Sequence, residues 1–219
     1  MRKLTKREIL RFPSLIFKIC KMRKVAENTM LTPSGLFQME KFIEDINKKS
    51  IPGAIVEAGC WKGGTGAYMA MIDKNRKVFL FDSFEGMPEP DTVDHKSGGK
   101  KGLKGGDLAV DENIVLTLKE KYNLKNIQVV KGYFENTLPV WKEKIGPIAI
   151  LRMDGDFYSS TTDILENLYD QVSPGGYVVI DDWHDFNGCR KAIYDFFSKR
   201  EEVPDIRDFP AFGKPYFKK

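Results

Sequence analysis

Residues 54–72 read AIVEAGCWKGGTGAYMAMI. A short apolar run, opened by Pro52-Gly53, ends in an acid and a turn holding four glycines in the eight positions from Gly59 to Gly66. A run of helix-compatible residues follows. The pattern reads as a buried strand over Ala54–Ala58, a glycine turn, and a helix over Gly64–Ile72. The same alternation continues outward. Apolar runs predict strands at Lys77–Phe81, Ile127–Val130, Ile148–Met153 and Tyr177–Ile180. Helices are expected at Asp111–Tyr122, around Trp141, at Ser159–Gln171 and at Asn187–Lys199. Short apolar strands separated by helices predict an α/β fold, with a mostly parallel sheet covered on both faces. The tail DIRDFPAFGKPYFKK is too short for another strand–helix unit and reads as edge strands.

Upstream of the glycine turn the chain is helical in pattern. Residues 1–28 interleave basic and apolar residues, interrupted by Pro13. One or two short amphipathic helices are expected, packing on the domain or a second subunit, with a membrane-surface helix as the alternative. Thr32 followed by Pro33 predicts an N-cap and first turn for a helix reaching about Lys48. We divide the chain into an N-terminal helical lid, 1–50, and one larger unit, 51–219. The stretch 94–107, DHKSGGKKGLKGGD, breaks the rhythm and reads as a surface loop or substrate lid.

The bulk numbers exclude several classes. A chain of 219 residues that is 42% hydrophobic can bury one proper core. Lys+Arg of 35 against Asp+Glu of 31 leaves a net charge of +4, too mild to imply nucleic acid. Three distant cysteines, Cys20, Cys60 and Cys189, argue against a disulfide framework or zinc site and favour the cytoplasm. No apolar run approaches a membrane span, and the basic N-terminus lacks a signal-peptide pattern.

In parallel sheets ligands collect beyond the carboxyl ends of the strands. Three constellations stand there. After the first strand, Glu57 and Gly59 open a loop whose spacing fails the dinucleotide fingerprint. An acid there would repel a pyrophosphate but suit a ligand with an ammonium group, such as S-adenosylmethionine. After the second strand stands Asp82, 25 positions beyond Glu57, where a carboxylate can accept both hydroxyls of a ribose. After the fourth and fifth strands come RMDGDFYSS and VIDDWHD. Adjacent strands would bring Asp154, Asp181 and Asp182 together. Clustered carboxylates repel unless a cation joins them, and hard oxygen donors favour Mg²⁺. The competing reading makes these acids helix caps. His184 lies nearby as a spare ligand or substrate contact, and Phe157, Tyr158 and Trp183 are aromatic candidates for stacking or core.

VEAGCWKGG, FDSFEGMPEP, GYFENTLP, LRMDGDFYSSTTDILENLYDQVSPGGYVVIDDW and CRKAIYDFF together resemble the macrocin O-methyltransferase family. The resemblance covers roughly residues 29–200. It implies a Rossmann-like methyltransferase fold with a mostly parallel seven-stranded sheet, helices on both faces and an N-terminal helical lid. It also implies S-adenosylmethionine, Mg²⁺ and a homodimer or higher homo-oligomer. Carried over by position, the family's cofactor segments match Glu57, Ala58, Gly59, Cys60 and Trp61, then Asp82, Ser83, Phe84, Glu85 and Gly86, with Phe134 near the adenine. Thr29 and Met30 match a lid segment, and Asp154 lies on the cofactor side as well as among the metal ligands Asp154, Asp181 and Asp182. Asp156 matches a proposed general base and Ser159 a residue near the substrate. The chain departs from the family in a shorter N-terminus and in its own insertion at 94–107, both of which bear on the acceptor.

The expected reaction is Mg²⁺-dependent transfer of a methyl group to a hydroxyl of a sugar or glycosylated small molecule, with Asp156 taking the proton and His184 and Asp185 as rival bases. Alternatives are a catechol-like diol methyltransferase, although Phe157 stands where catechol enzymes place a lysine; a glycosyltransferase using the Asp154–Asp156 acids for a nucleotide sugar; and a non-catalytic nucleoside-binding module. No nucleic-acid partner or transmembrane segment is expected.

Overall fold

The computed structural model describes residues 13–95, 102–210 and 213–219. Two helices lead in, α1 (Pro13–Val25) and α2 (Pro33–Lys48). Then β1 (Ala54–Ala58), α3 (Gly64–Ile72), β2 (Val78–Asp82), α4 (Asn113–Lys121), β3 (Ile127–Lys131), α5 (Phe134–Ile145) and β4 (Ile148–Met153) follow. The chain ends with α6 (Tyr158–Leu168), β5 (Val172–Ile180), α7 (Asn187–Lys199) and β6 (Tyr216–Lys218). α2 starts as its sequence demands: the Thr32 side chain accepts from the Gly35 amide at 3.2 Å, and Pro33 spends no donor in the first turn.

The strands form one sheet in the order β3-β2-β1-β4-β5-β6, parallel throughout except for β6, which runs antiparallel to β5. Among the described residues the sheet has six strands, not the seven expected. The tail does return to the sheet edge, but its first half makes only a single antiparallel bridge, Arg207 to Tyr216. Pro204 and Pro210 bracket that stretch and remove the donors a longer ladder needs. β5 begins earlier than its apolar run suggested, at Val172, and crosses Gly175-Gly176 with a register irregularity against β4.

Successive strand side chains alternate between two cores, which is why the strands read as unbroken apolar runs. Ile55, Leu80, Ile150 and Val179 pack with Met39, Phe42 and Ile43 of α2 and Tyr68 and Met69 of α3. Val56, Phe81, Leu151 and Val178 pack with Leu138 of α5, Ile164 and Leu165 of α6 and Ile193 of α7. The sheet therefore has helices on both faces. Among the described residues no helix is long and apolar enough to cross a membrane.

Candidate active site

Hydrogen bonds carry the sheet register past the strand ends and align the functional segments. The Gly59 amide donates to Phe81 O (2.8 Å), Asp154 to Ala58 O (2.8 Å), Asp181 to Met153 O (2.9 Å), and Gly132 to Asp82 O (2.9 Å). Gly59 has a φ of +94°, and a Cβ on it would fall 1.8 Å from the Asp154 carbonyl oxygen. Only glycine lets the first turn lie this close to the β4 turn.

Two cavities open at this edge. The first, about 290 Å³, takes in Gly59, Trp61, Asp82, Ser83, Gly86 and Phe134. The second, about 370 Å³, takes in Thr29, Cys60, Arg152, Asp181, Asp182 and Lys214. Met30, Trp61, Leu108, Asp154 and Asp156 line both. The two spaces meet at the acids.

On the first-cavity side the turns are held by backbone bonds. Asp82 Oδ2 accepts the Trp61 amide at 2.7 Å and Oδ1 the Phe84 amide at 2.8 Å. Burial lifts the Asp82 carboxyl, and those amides oppose the rise. Trp61 and Phe84 sit at positive φ, 48° and 58°, a left-handed geometry costing about 1–2 kcal/mol each that the Asp82 bonds help to hold. Ser83 Oγ donates to Gly86 O (2.9 Å), closing the DSFEG turn. Phe84 is buried in the core and Glu85 points to solvent, so these two predicted residues shape the turn without lining either cavity. Ala58 is likewise a buried strand residue. The lid segment docks on the glycine turn: the Gly64 amide donates to Asn28 O (2.8 Å), and the Thr29 and Thr65 hydroxyls share a 2.7 Å bond.

The acid side is built differently. One oxygen from each of Asp154, Asp156 and Asp182 lies within 4.8 Å of the others. Asp182 Oδ2 accepts the Asp156 amide at 2.9 Å, holding Asp156 in a left-handed conformation with φ 56°. Burial raises the Asp154 carboxyl well above its ordinary range, with Arg152 opposing and Asp181 and Asp156 adding to the rise. Asp182 is raised first by burial and then by Asp156 and Asp154. Asp181, expected to be a metal ligand, is not one of this trio but lines the second cavity beside them. It pairs with Arg152, and its Oδ2 lies 2.7 Å from Lys214 Nζ.

Arg152 is the hub that the motif search passed over. It is 3% exposed near the carboxyl end of β4, and one nitrogen donates to both Glu57 Oε1 (2.8 Å) and Asp154 Oδ2 (2.7 Å). Glu57 faces it in the β1–β4 register. Glu57 therefore lies behind the glycine turn, in neither cavity lining, and burial pushes its carboxyl up to about 7 against the pull of Arg152. A charged pair inside two otherwise apolar strands, VEA beside LRM, was the available signal. Tyr133, Leu108, Asp163 and Lys214 are among the other lining residues that the sequence reading did not single out.

Ser159 lines the first cavity. His184 lies in neither; it is exposed and bonds Asp208 at 2.8 Å. The three candidate aromatics also lie outside both linings. Phe157 is fully buried and edge-on to Phe186, Trp183 packs against Tyr194, and the Tyr158 hydroxyl donates to Asp195. Residues 96–101 of the Gly/Lys stretch lie outside the described residues. Its start is fastened: buried Asp94 accepts the Tyr158 amide (2.7 Å) at the head of α6 and the Asp91 amide (2.9 Å). Its far end supplies Leu103, which lines the second cavity.

Comparison with known proteins agrees with this geometry. A family model described as macrocin O-methyltransferase matches residues 22–218. The 8-demethyl-8-(2,3-dimethoxy-alpha-L-rhamnosyl)-tetracenomycin-C 4'-O-methyltransferase of Streptomyces olivaceus is 38% identical over 178 residues, 77% of this chain and 67% of that protein. The demethyldecarbamoylnovobiocin O-methyltransferase of Streptomyces niveus is 36% identical over 188 residues, 82% of this chain and 71% of that protein. Among solved structures, the O-methyltransferase NovP superposes with a TM-score of 0.75 at 31% identity, covering 88% of this chain and 82% of that one. With its family model running almost end to end along a Rossmann-like methyltransferase sheet, the chain belongs to the macrocin O-methyltransferase family and is an S-adenosylmethionine-dependent O-methyltransferase.

Proposed function

We propose that this enzyme methylates a sugar hydroxyl of a glycosylated small molecule, with Mg²⁺ held at the acid cluster. The observation that carries the reading is the meeting of two cavities at Asp154 and Asp156. A donor and an acceptor bound on either side would face each other over carboxylates. The sugar class follows from the relatives, one of which is named for a rhamnosyl tetracenomycin.

The first cavity suits the cofactor: Gly59 keeps the floor free of side chain and Asp82 stands at the strand end. Both Asp82 oxygens are fixed by amides, and each retains a lone pair for a ribose hydroxyl. S-adenosylmethionine supplies a methyl group made electrophilic by its sulfonium. The second cavity takes the acceptor, with Thr29 and Met30 closing from the lid side. Asp154, Asp156 and Asp182 suit Mg²⁺ because they are hard oxygen donors close enough to share one ion. Mg²⁺ supplies positive charge that makes a neighbouring hydroxyl more acidic.

Asp156 is the proposed base. It faces both cavities, and the Asp182 bond to its amide fixes its turn. Only one of its oxygens belongs to the close trio, and the other accepts the hydroxyl proton as the acceptor oxygen turns toward the methyl group. The residues at the junction hold the two partners in line, converting an encounter into a local step. Among the rivals, His184 is bonded outward to Asp208, while Asp185 lines the second cavity.

The test is calorimetric titration of S-adenosylhomocysteine with Mg²⁺ and with EDTA, followed by labelled methyl transfer to rhamnosylated aglycones, free sugars and catechol. The expected result is binding in both buffers and EDTA-sensitive transfer to the glycosylated acceptors. Transfer to catechol alone would overturn the acceptor class, and undiminished transfer in EDTA would overturn the metal.

A further inference from the structure

Lys214 reaches the site from the C-terminal tail, far from every motif that marks it. Pro215 O accepts the Ile180 amide at 2.8 Å, so the tail runs antiparallel beside the end of β5. This places Lys214 Nζ 2.7 Å from Asp181 Oδ2 and 2.9 Å from Asp181 O. The lysine backbone is gripped from α2. Gln38, fully buried, donates from Nε2 to Lys214 O at 2.7 Å and accepts the Lys214 amide on Oε1 at 2.7 Å. A Cβ on Gly213 would lie 2.8 Å from Gln38 Oε1 and 2.5 Å from the Phe209 ring, so glycine is required for the grip to close. A buried glutamine spending both ends of its amide on one residue fixes that residue's place.

Its target is specific. Asp181 is shared between Lys214 and Arg152, while the three carboxylates beside it form the close cluster. Lys214 lines the second cavity together with that cluster. Burial works against its charge, yet the facing Asp181, Asp154 and Asp182 hold it above the ordinary lysine range.

We propose that Lys214, clamped by Gln38, is a positioning residue that engages Asp181 and holds down the divalent-cation affinity of the Asp154–Asp156–Asp182 cluster. The proposal rests on the reading that this cluster takes a cation. A fixed ammonium beside the site repels an arriving divalent ion and occupies a carboxylate that would otherwise add to its shell. Losing that charge tightens the site; it does not loosen it. A merely structural lysine would have no such effect.

The experiment is titration of Mn²⁺ into the full-length protein, followed by the electron paramagnetic resonance signal of the free ion. Wild type, Lys214→Met, Lys214→Arg, Gln38→Leu and Asp182→Asn are compared, with thermal melts of each. Lys214→Met is expected to bind Mn²⁺ about tenfold more tightly, the scale that one fixed charge sets at short range in a partly buried site. Lys214→Arg should return to the wild-type value. Gln38→Leu should shift affinity in the Met direction by a smaller factor, because the charge stays but is no longer fixed. Asp182→Asn should lose binding. Unchanged or weaker binding in a folded Lys214→Met, with Asp182→Asn still defective, overturns the role of Lys214 and leaves the cation site standing. Absence of Mn²⁺ binding in wild type overturns both. If Lys214→Met melts out, Gln38→Leu decides: no shift toward tighter binding overturns the proposal.

Discussion

The two halves of the sheet edge solve different problems with different materials. At β1–β3 the turns are held by backbone amides on Asp82, by glycine, and by left-handed Trp61 and Phe84. At β4–β6 the turns are held by charge: Arg152 and Lys214 stand among Glu57, Asp154, Asp156, Asp181 and Asp182. The first half is a mould, whose fit depends on shape and satisfied amides. The second is an electrostatic assembly with carboxylates in excess of its cations, so it depends on what neutralises them. Damage should separate accordingly. Lesions in the charged half should cost stability or chemistry, and lesions in the mould should cost cofactor affinity.

The largest expected effect is on the fold. Arg152→Met leaves Glu57 buried and Asp154 and Asp181 without their guanidinium. Removing one partner of a buried ion pair costs about 3–5 kcal/mol. Urea unfolding should report a loss on that scale, and a change below about 1 kcal/mol would show that the charged half is not held by its hub. Next comes chemistry. Asp154→Asn should lower kcat/KM about 10³-fold, or about 4 kcal/mol, while the protein still binds S-adenosylhomocysteine. Near-normal turnover by Asp154→Asn would remove Asp154 from the reaction.

The mould is tested by Asp82→Asn. Asparagine keeps one acceptor oxygen and turns the other into a donor facing an amide, so the Trp61 or the Phe84 turn loses its anchor. An unpaired donor costs about 1–3 kcal/mol, which predicts roughly 30-fold weaker binding of S-adenosylhomocysteine by calorimetry. Mn²⁺ affinity should stay at the wild-type value. Equal loss of both would mean that the two halves are one network.

The mould was also the legible half. Its glycines and Asp82 sit within short motifs, and β1, α3 and β4 fall where the apolar runs and the glycine turn put them. The charged half was legible only where it lies in one motif. Asp154, Asp181 and Asp182 stood out because acids gather after two adjacent strands, and Asp156 came only with the family resemblance. Which acids face one another was not, since adjacent Asp181 and Asp182 point to different partners, and that depends on Arg152 and on Lys214, 33 residues downstream of Asp181. His184 misled by sequence proximity; the backbone after β5 turns it outward to Asp208. Of the aromatics beside the acids, Phe157 went to the core against Phe186, while half-buried Tyr158 and Trp183 pack along α7 on Asp195 and Tyr194. The seventh strand that the resemblance implied is not formed among the described residues, where Pro204 and Pro210 bracket the first half of the tail.

One acid straddles the comparison and gives its smallest and most directional test. Asp163 rides on α6, in the charged half, but lines the first cavity, beside the mould. Burial, and then Glu135 and Glu166, push its carboxyl up to about 6. The unfolded chain titrates near the ordinary aspartate value of about 3.9. The fold thus favours the neutral acid: the contribution is full below about pH 4 and is lost as pH rises through about 6, beyond which an ionised Asp163 is a burden. Two pKa units correspond to about 3 kcal/mol, but the group is half-buried, and solvent screening reduces the expectation to about 1 kcal/mol. Asp163→Asn carries no such burden. Measured against wild type, its Tm should gain about 2–4 °C between pH 4 and pH 8, whatever offset the amide itself introduces. A flat difference would show that Asp163 is solvated from the cavity side. A reversed one would mean that a positive partner meets it there, and the mould would then share the electrostatic character of its neighbour.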